Sequence, residues 1–505
     1  MPPAASPLAA LPAAAFAGSL KRHALLIAIF AAALLLRSFL PTNADTSWLL
    51  TVGEKILDGS RPYVDLLEVN PPASILLYLL PVWLSRVLPL SAEFFTGALV
   101  FAAAAGCLWF ASRILLAAQL FNRDTVLKLT ALFAAVVLLL PAQTFAQREH
   151  IALILFLPAL ATYVVRANGS RISLREAVMA GLLAGITVAI KPHLVFGMML
   201  ASFTASLYAR DLRTIFAIEN WAAVFVCALY AALVIVFYPA FVADILPLVS
   251  AVYVPVRADF WKFLVHFATP IFALAAAAIF ALTRSKQSSP AFAVLLASAF
   301  GFAISYYAQF KGWAYHSFPM LALIVAAAVI AFARRWPQAS GEESAAERFR
   351  RLASALFIAL LAGASFLWFS FFVDMRGLNE TVAKAAPRGT LLSISSDIAV
   401  GHPLARQVGG TWVGRVCSQW IAAGALALKL DTQDPAARAK LDAYEMRDRA
   451  MLLEDIRNEK PGIILVDRIG FDWLKWAQAD AEIAHELEKY RSLDQINGVL
   501  ILRRK

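Results

Sequence analysis

Apolar runs of helical length alternate with short polar segments along the chain up to residue 373. A helix needs about 20 apolar residues to cross the hydrocarbon core of a bilayer. The pattern therefore predicts a bundle of membrane-spanning helices. The twelve runs are 24–41, 73–88, 93–112, 127–141, 151–165, 177–190, 194–208, 219–238, 266–283, 290–308, 318–333 and 352–373.

Basic residues gather in alternate segments between these runs, and they set an orientation, because membrane proteins keep Lys and Arg in short cytoplasmic loops. The N-terminal stretch precedes its basic cluster and does not resemble a signal peptide, so we expect a loose cytoplasmic tail. The predicted cytoplasmic segments are 113–128, 166–175, 210–213, 284–286 and 334–351. The predicted outward segments are 42–72, 142–150, 191–193, 239–265, 309–317 and everything after Asp374.

The run 73–88 breaks this alternation if it crosses the membrane. Pro71, Pro72, Pro81 and Pro89 remove backbone donors and interrupt helices, so we expect a broken helix that lies at the interface or re-enters. About 11 crossings remain, with the N-terminus inside and the C-terminus outside. The alternative is one additional crossing elsewhere.

The last part of the chain has more charge and shorter apolar segments. Segments 390–395, 462–467 and 498–503 predict buried strands, and 434–459 and 471–491 predict helices, which together indicate a small α/β domain. Its strands are not followed by a glycine-rich phosphate loop, so we assign it no nucleotide. The predicted domains are a cytoplasmic tail (1–20), a transmembrane domain (21–374) whose first outer loop is 42–72, and an outer α/β domain (375–505).

Composition agrees with a polytopic membrane protein. Only 16% of residues are charged, against roughly 25% in soluble domains. The net charge of +11 is explained by basic cytoplasmic loops and is no argument for nucleic acid. The three cysteines have no metal-binding spacing and do not predict a disulfide framework.

The predicted outward segments hold an unusual number of acids, cations, histidines and aromatic residues. Connections between helices do not need this chemistry, so we expect the residues to converge on a pocket at the membrane–water boundary. The residues are Asp45, Trp48, Glu54, Lys55, Arg61, Tyr63, Asp65, Glu68, Asn70, Gln147, Arg148, Glu149, His150, Lys191, His193, Tyr253, Arg257, Asp259, Trp261, Lys262, His266, Gln309, Lys311, Trp313, Tyr315 and His316.

Each of these residues also has a simpler interpretation. Asp45 could cap a helix over 46–57, and Arg148 could pair with its neighbour Glu149. Asp65 and Glu68 could be solvated loop charges, and Lys191 could extend to the interface. Arg257 and Lys262 could contact lipid headgroups, and Trp313 and Tyr315 could belong to an aromatic belt. These interpretations do not explain why so many such residues fall on one face.

Three short motifs occur in a fixed order: Asp45 followed by Asn70-Pro71-Pro72, then Arg148-Glu149-His150, then Lys191-Pro192-His193. In this order the chain resembles the GT-C superfamily of membrane glycosyltransferases over about residues 20–330. It is most similar to the branch of protein O-mannosyltransferases and lipid A aminoarabinose transferases. It differs in having Pro after Lys191 where the family has Gly, and His150 where an acid is common.

The resemblance implies inverting sugar transfer from a polyprenyl-phosphate donor to a glycan, lipid or protein acceptor in the inner membrane of a Gram-negative bacterium. The α/β domain would then lie in the periplasm, where it would bind the acceptor or shape the entrance to the pocket. Asp45 matches the family's first-loop acid and would be the general base. The leaving phosphate would be bound by cations. The candidate cations are Lys191, Arg257, Lys262, Arg61 and Lys311.

The remaining candidates have less definite roles. Asp65, Glu68, Glu149 and His150 would orient the acceptor or hold Mg²⁺ or Mn²⁺, although their spacing does not require a metal. Sugar or lipid contacts would come from Tyr63, His193, Trp313 and His316.

Two other functions compete with this one. A transporter or flippase of lipid-linked sugars would use the same cations without a base, but it would favour charges in the middle of helices. A structural or assembly protein would act through the α/β domain and leave the first loop unexplained. The clustering of polar residues on one side favours the enzyme.

Overall fold

Eleven of the twelve apolar runs each fold as one long helix in the computed structural model, which describes residues 11–284, 289–335, 344–372 and 375–505. The α-helices up to residue 372 are α1 Leu11–Phe39, α2 Ala44–Leu57, α3 Pro72–Leu76, α4 Leu79–Val87, α5 Ala92–Ala117, α6 Arg123–Leu138, α7 Arg148–Ala167, α8 Leu174–Ile190, α9 Val195–Ala209, α10 Ile218–Phe237, α11 Leu246–Leu248, α12 Phe260–Val265, α13 Ala268–Thr283, α14 Pro290–Gln309, α15 Phe318–Arg335 and α16 Ala345–Phe369. Helix α11 is the middle of a longer helical segment, Phe241–Tyr253, whose two ends are π-helical.

The long apolar helices make the chain a multi-pass membrane protein. Seven helices among the described residues are long and apolar enough to cross a bilayer, or eight if the pair 23–39 and 44–57, bent by 80°, is one span. The apolar helix α13 is shorter, with 16 residues. Helices α6 and α8 have 16 and 17 residues, and each carries charged residues in its first turn.

Polar caps explain where several of these helices begin. The side chains of Ser91, Asn122, Ser173 and Ser289 each accept a hydrogen bond from the backbone N–H three residues later. Such caps satisfy N–H groups that the first turn of a helix leaves unpaired. The apolar faces of the helices that follow pack into one core that runs through α5, α7, α14 and α15.

The run 73–88 breaks as predicted, into α3 and α4, with a turn at 77–78. The predicted N-terminal tail is shorter than expected, because α1 already begins at Leu11, and residues 1–10 lie outside the described residues. Parts of the predicted cytoplasmic segments 284–286 and 334–351, and Asp374, also lie outside them.

Residues 375–505 form a small α/β unit, as predicted. Its five-stranded sheet has the order β2-β1-β3-β5-β4; β2, β1 and β3 are parallel, and β5 and β4 are antiparallel to their neighbours. The strands are β1 Thr390–Ile394, β2 Thr411–Trp412, β3 Ile463–Asp467, β4 Tyr490–Ile496 and β5 Val499–Arg504. The helices are α17 Arg376–Ala385, α18 Leu404–Gln407, α19 Trp420–Asp431, α20 Pro435–Glu459, α21 Trp473–Gln478 and α22 Ala481–Leu487.

One predicted helix of this unit is wrong in extent. The segment 471–491 contains two short helices and the start of β4, because Asp472 and Asp480 each cap a new helix. A capping aspartate competes with the preceding helix for the backbone N–H groups. The edge strands β2 and β4 were not predicted; β2 has only two residues and β4 exposes most of its side chains.

The α/β unit is docked on the membrane helices through apolar contacts and charge pairs. Arg447 makes a bidentate pair with Asp244 at 3.0 and 2.7 Å. Arg406 bridges Glu54 at 2.6 Å and Glu93 at 2.5 Å. An apolar core shared by α2, α19 and β1 continues across the junction, so the two parts enclose the space between them.

Candidate functional site

A cavity of about 920 Å³ lies at the junction of the membrane helices and the α/β unit. All five internal segments that were predicted to face outward contribute to its lining, but only ten of the 26 residues that were expected to converge belong to it. The lining residues from these segments include Asp45, Trp48, Glu68, Asn70, Gln143, Arg148, Lys191, Tyr253, Trp313, Tyr315 and His316.

Asp45 and Arg148 meet in this cavity. Asp45 does not cap α2, because the side chain of Asn43 takes that role by accepting a hydrogen bond from the Asp45 backbone N–H at 2.9 Å. The Asp45 carboxylate instead lies 3.4 Å from Arg148 Nη2. Only 2% of the Arg148 side chain is exposed, and Nε and Nη1 have no partner among the described residues. A buried guanidinium with unpaired donors is suited to binding an anion.

A second buried charge pair lies beside the first. Lys191 follows the C-terminus of α8, and its Nζ lies 2.5 Å from Glu149 Oε1. His316 Nε2 lies 3.4 Å from Lys191 Nζ and 3.5 Å from Glu149 Oε1. Lys191 Nζ also lies 5.5 Å from the ring centroid of Tyr315. Arg148 and Glu149 therefore pair with different partners and not with each other. We call Asp45, Arg148, Lys191, Tyr315 and His316 the membrane wall.

Glu68 lines the cavity but is held in place. It is buried, accepts a hydrogen bond from the backbone N–H of Asn70 at 3.0 Å, and is also bonded by the side chains of Asn70 and Trp48. These three donors occupy both carboxylate oxygens. Glu68 therefore supports the wall and the position of Trp48.

Arg61 and Asp65 lie away from the cavity lining, contrary to prediction. They pair with each other at 2.9 Å on the surface, where their side chains are 71% and 41% exposed. Hydrogen bonds from Arg61 lower the pKa of Asp65 to about 2. The simpler interpretation of a solvated loop charge holds for Asp65.

His150, Tyr63 and His193 are also absent from the cavity lining. The two ring nitrogens of His150 bond the backbone N–H of Ala146 at 3.0 Å and the carbonyl oxygen of Val137 at 2.6 Å, so this buried ring fixes the turn before α7. The Tyr63 hydroxyl donates to the carbonyl oxygen of Asn70 at 2.6 Å. His150 and Tyr63 therefore hold the backbone next to the cavity in place without lining it.

Three predicted phosphate ligands are likewise not in the lining: Arg257, Lys262 and Lys311. Lys311 donates to the carbonyl oxygens of Tyr253, at 2.5 Å, and Val256, and its Nζ lies 4.4 Å from the Tyr253 ring centroid. Burial lowers the pKa of Lys311 to about 8. Its position indicates that it supports Tyr253 and does not contact a ligand.

The predicted metal ligands do not converge. Among the described residues, no group of three or more His, Cys, Asp and Glu side chains is arranged to hold a metal ion. Both nitrogens of His150 are engaged, Glu149 is paired with Lys191, and Glu68 accepts three hydrogen bonds. This set of donors does not fit Mg²⁺ or Mn²⁺, which prefer several oxygen ligands around one point.

The second side of the cavity comes from the α/β unit, and the residues that form it were not predicted from the sequence. We call it the sheet-edge wall, because part of it directly follows the carboxyl end of β1. It contains Asn379, Ser396, Asp397, His402, Gln407 and Trp420. Burial raises the pKa of Asp397, and Asp467 and Asp45 add to this shift. The available signal was Ser395-Ser396-Asp397 after a predicted strand, since ligands of α/β sheets bind at the carboxyl ends of parallel strands.

The rim of the cavity is apolar where the chain leaves the membrane helices. Phe39 and Leu40, at the end of α1, and Phe371 and Phe372, just after α16, belong to the lining. Phe39 is 75% exposed and Phe371 is 76% exposed. Exposed aromatic side chains at the end of membrane helices are suited to contact with lipid chains.

No protein-family model matches the chain, and no curated protein matches it. The fold and the cavity therefore define only a class: a multi-pass membrane protein with a charged, half-polar cavity between its helices and an α/β unit.

Proposed function

We propose that the protein is a GT-C-type glycosyltransferase that moves a sugar from a polyprenyl-phosphate donor to an acceptor. The observation that carries this proposal is that the Asp45 carboxylate lies in the same cavity as two buried cations, Arg148 and Lys191. Such a set provides a base for the acceptor and positive charge for the leaving phosphate.

Arg148 and Lys191 are the proposed phosphate ligands, in place of the wider set suggested by the sequence. Two nitrogens of Arg148 have no partner among the described residues, and Arg148 opens α7, whose N-terminus is not capped by a side chain of that part of the chain. The positive end of the helix dipole adds to the attraction for an anion. The polyprenyl chain would leave the cavity past Phe39 and Phe371 toward the lipid.

The proposed reaction is a single displacement. The acceptor oxygen attacks the anomeric carbon while its proton passes to the Asp45 carboxylate. The bond between the anomeric carbon and the phosphate oxygen breaks, and its electron pair stays on the phosphate, which Arg148 and Lys191 stabilise. Attack from the side opposite the leaving group inverts the anomeric centre.

The proposed setting is the inner membrane of a Gram-negative bacterium, with about 11 crossings, a cytoplasmic N-terminus and a periplasmic α/β unit. Support comes from the order of the eleven long helices. If each one crosses the membrane once and successive helices run in opposite directions, every helix end that lines the cavity lies on the same side of the membrane. The opposite helix ends then lie on the other side and carry arginines, in agreement with cytoplasmic retention of positive charge. These arginines are Arg113, Arg123, Arg166, Arg210 and Arg334.

A donor panel in proteoliposomes tests the function. Radiolabelled polyprenyl-phosphate sugars are supplied with a cell-envelope extract as acceptor, and transferred label is measured separately from label that crosses the bilayer. We expect transfer of one donor's sugar. Movement of label without transfer would identify a flippase and refute the proposal.

Arg148→Gln tests the phosphate site in the same assay. Because it removes one charged hydrogen-bonding partner, worth about 1.5–3 kcal/mol, we expect the donor concentration for half-maximal transfer to rise about 10- to 100-fold, or transfer to be lost. The matched control is Arg61→Gln, which changes a surface arginine and should leave transfer unaltered.

A further inference from the structure

The sheet-edge wall has the position of a ligand site. The parallel strands β1 and β3 end at the same edge of the sheet, and residues 396–399, which follow β1, line the cavity. In open α/β sheets, ligands bind outside the carboxyl ends of such strands. Here that edge faces the membrane wall, so one bound molecule can touch both walls.

Several polar atoms of this wall are buried without a partner among the described residues. Both ring nitrogens of His402 are unpaired, although the ring is fully buried between Trp48 and Trp412, at centroid distances of 5.2 and 4.5 Å. Trp420 Nε1 and Asn379 Oδ1 are also unpaired. Buried polar groups in folded proteins nearly always have a partner, so a ligand with several hydroxyl groups would complete these bonds.

The two walls differ in charge. The membrane wall carries two buried cations, Arg148 and Lys191. The sheet-edge wall carries amide, hydroxyl, imidazole and indole groups and one carboxylate, Asp397, and the α/β unit adds one exposed cation to the cavity lining, Arg376 at the start of α17. The Oδ1 atom of Asp397 accepts the backbone N–H of Ala399 at 2.9 Å, and its Oδ2 accepts no hydrogen bond from a described residue. Neutral polar groups beside aromatic rings and a carboxylate are suited to binding sugar hydroxyls.

We propose that the sheet-edge wall binds the hydroxyl groups of a carbohydrate acceptor, with Asp397 and Trp420 as hydrogen-bonding ligands. This inference rests on the proposed function, because it names the acceptor of that reaction. The same hydroxyl chemistry could come from the sugar of the donor. The two sources can be distinguished, because water can attack the anomeric carbon in place of the acceptor, whereas the reaction cannot proceed without the donor.

Comparing transfer with hydrolysis separates the sources. In proteoliposomes that contain the donor used by the wild type, transfer to a cell-envelope extract is measured together with release of free sugar in the absence of extract. Release breaks the bond between the anomeric carbon and the phosphate oxygen, with water supplying the attacking oxygen. The variants are Asp397→Asn, which keeps the oxygen that accepts the Ala399 N–H, and Trp420→Phe, which keeps an aromatic ring.

We expect both variants to raise the extract concentration for half-maximal transfer about 10-fold or more. We also expect the transfer rate to fall by a factor at least tenfold larger than the factor by which the release of free sugar falls. The matched control is Asp480→Asn, since Asp480 also bonds backbone N–H groups, at 2.9 and 3.1 Å, but lies outside the cavity. It should behave as the wild type.

Two results would overturn the inference: an equal loss of transfer and release, which assigns the wall to the donor sugar, or no change in either. A wild type that neither transfers nor releases sugar from any donor would refute the proposed function itself, and this inference with it.

Discussion

The buried pair of Lys191 and Glu149 gives a strong prediction about stability. The side chains are 9% and 0% exposed, and their charged atoms are 2.5 Å apart. Glu149→Gln removes the negative charge and leaves the ammonium group buried beside the Arg148 guanidinium. Removing one partner of a buried pair costs about 3–5 kcal/mol, because the remaining charge has lost both water and its partner. We expect the free energy of unfolding, measured by SDS titration of the purified protein in mixed micelles, to fall by this amount.

The double variant Glu149→Gln/Lys191→Met provides the internal check. Because it removes both charges, we expect it to recover most of the lost stability while transfer remains impaired. The matched control is Asp124→Asn, which breaks the pair of Lys128 and Asp124 at 2.7 Å on the surface, where the side chains are 74% and 72% exposed. That change should cost at most about 1 kcal/mol. A similarly small loss for Glu149→Gln would refute the conclusion that this pair is buried away from water.

Two further predictions concern the α/β unit. Burial raises the pKa of Asp448 from 3.8 to about 7, so as pH rises the unfolded state loses this proton first, and stability falls by about 4 kcal/mol between roughly pH 4 and pH 7. Asp448→Asn should remove this decline when unfolding is measured at pH 5 and pH 8; an unchanged decline would contradict it. A Cβ on Gly424 would overlap the carbonyl oxygen of Val252, so Gly424→Ala should loosen the docking of α19 and lower stability by about 1–3 kcal/mol. Gly106→Ala, with open space around it, is the control and should not destabilise; equal stability of the two variants would argue against tight docking.

The sequence predicted the long helices well, because a bilayer requires continuous apolar runs and leaves little freedom in their length. It also predicted that the outward segments converge, since alternate helix ends must lie on the same side. The break after α3 followed from the prolines around it.

Side-chain partners were harder to predict, because they depend on rotation about the helix axis. Arg148 and Glu149 are adjacent in sequence, yet neighbouring helix positions point in different directions. Arg148 therefore reaches Asp45 and Glu149 reaches Lys191. His150 belongs to the same motif, but its ring turns inward to the backbone.

The polar segment after β1 was a local signal for the sheet-edge wall, but it does not show where that wall lies. Its position depends on how the α/β unit docks, through contacts such as Arg447 with Asp244 that are 203 residues apart in sequence. The sequence also does not show which cations face the cavity. Charge alone suggested Arg257, Lys262 and Arg61 as phosphate ligands, but these residues lie outside the cavity lining.

Asp45 is the residue that we propose takes the proton of the acceptor. The most direct test is the transfer rate of Asp45→Asn in proteoliposomes with saturating donor, compared with Asp58→Asn. Asp58 follows the same helix but pairs with Arg86 at the surface. We expect Asp45→Asn to lower the rate about 10²- to 10⁴-fold while donor binding persists, and Asp58→Asn to match the wild type. Undiminished transfer by Asp45→Asn would contradict the account.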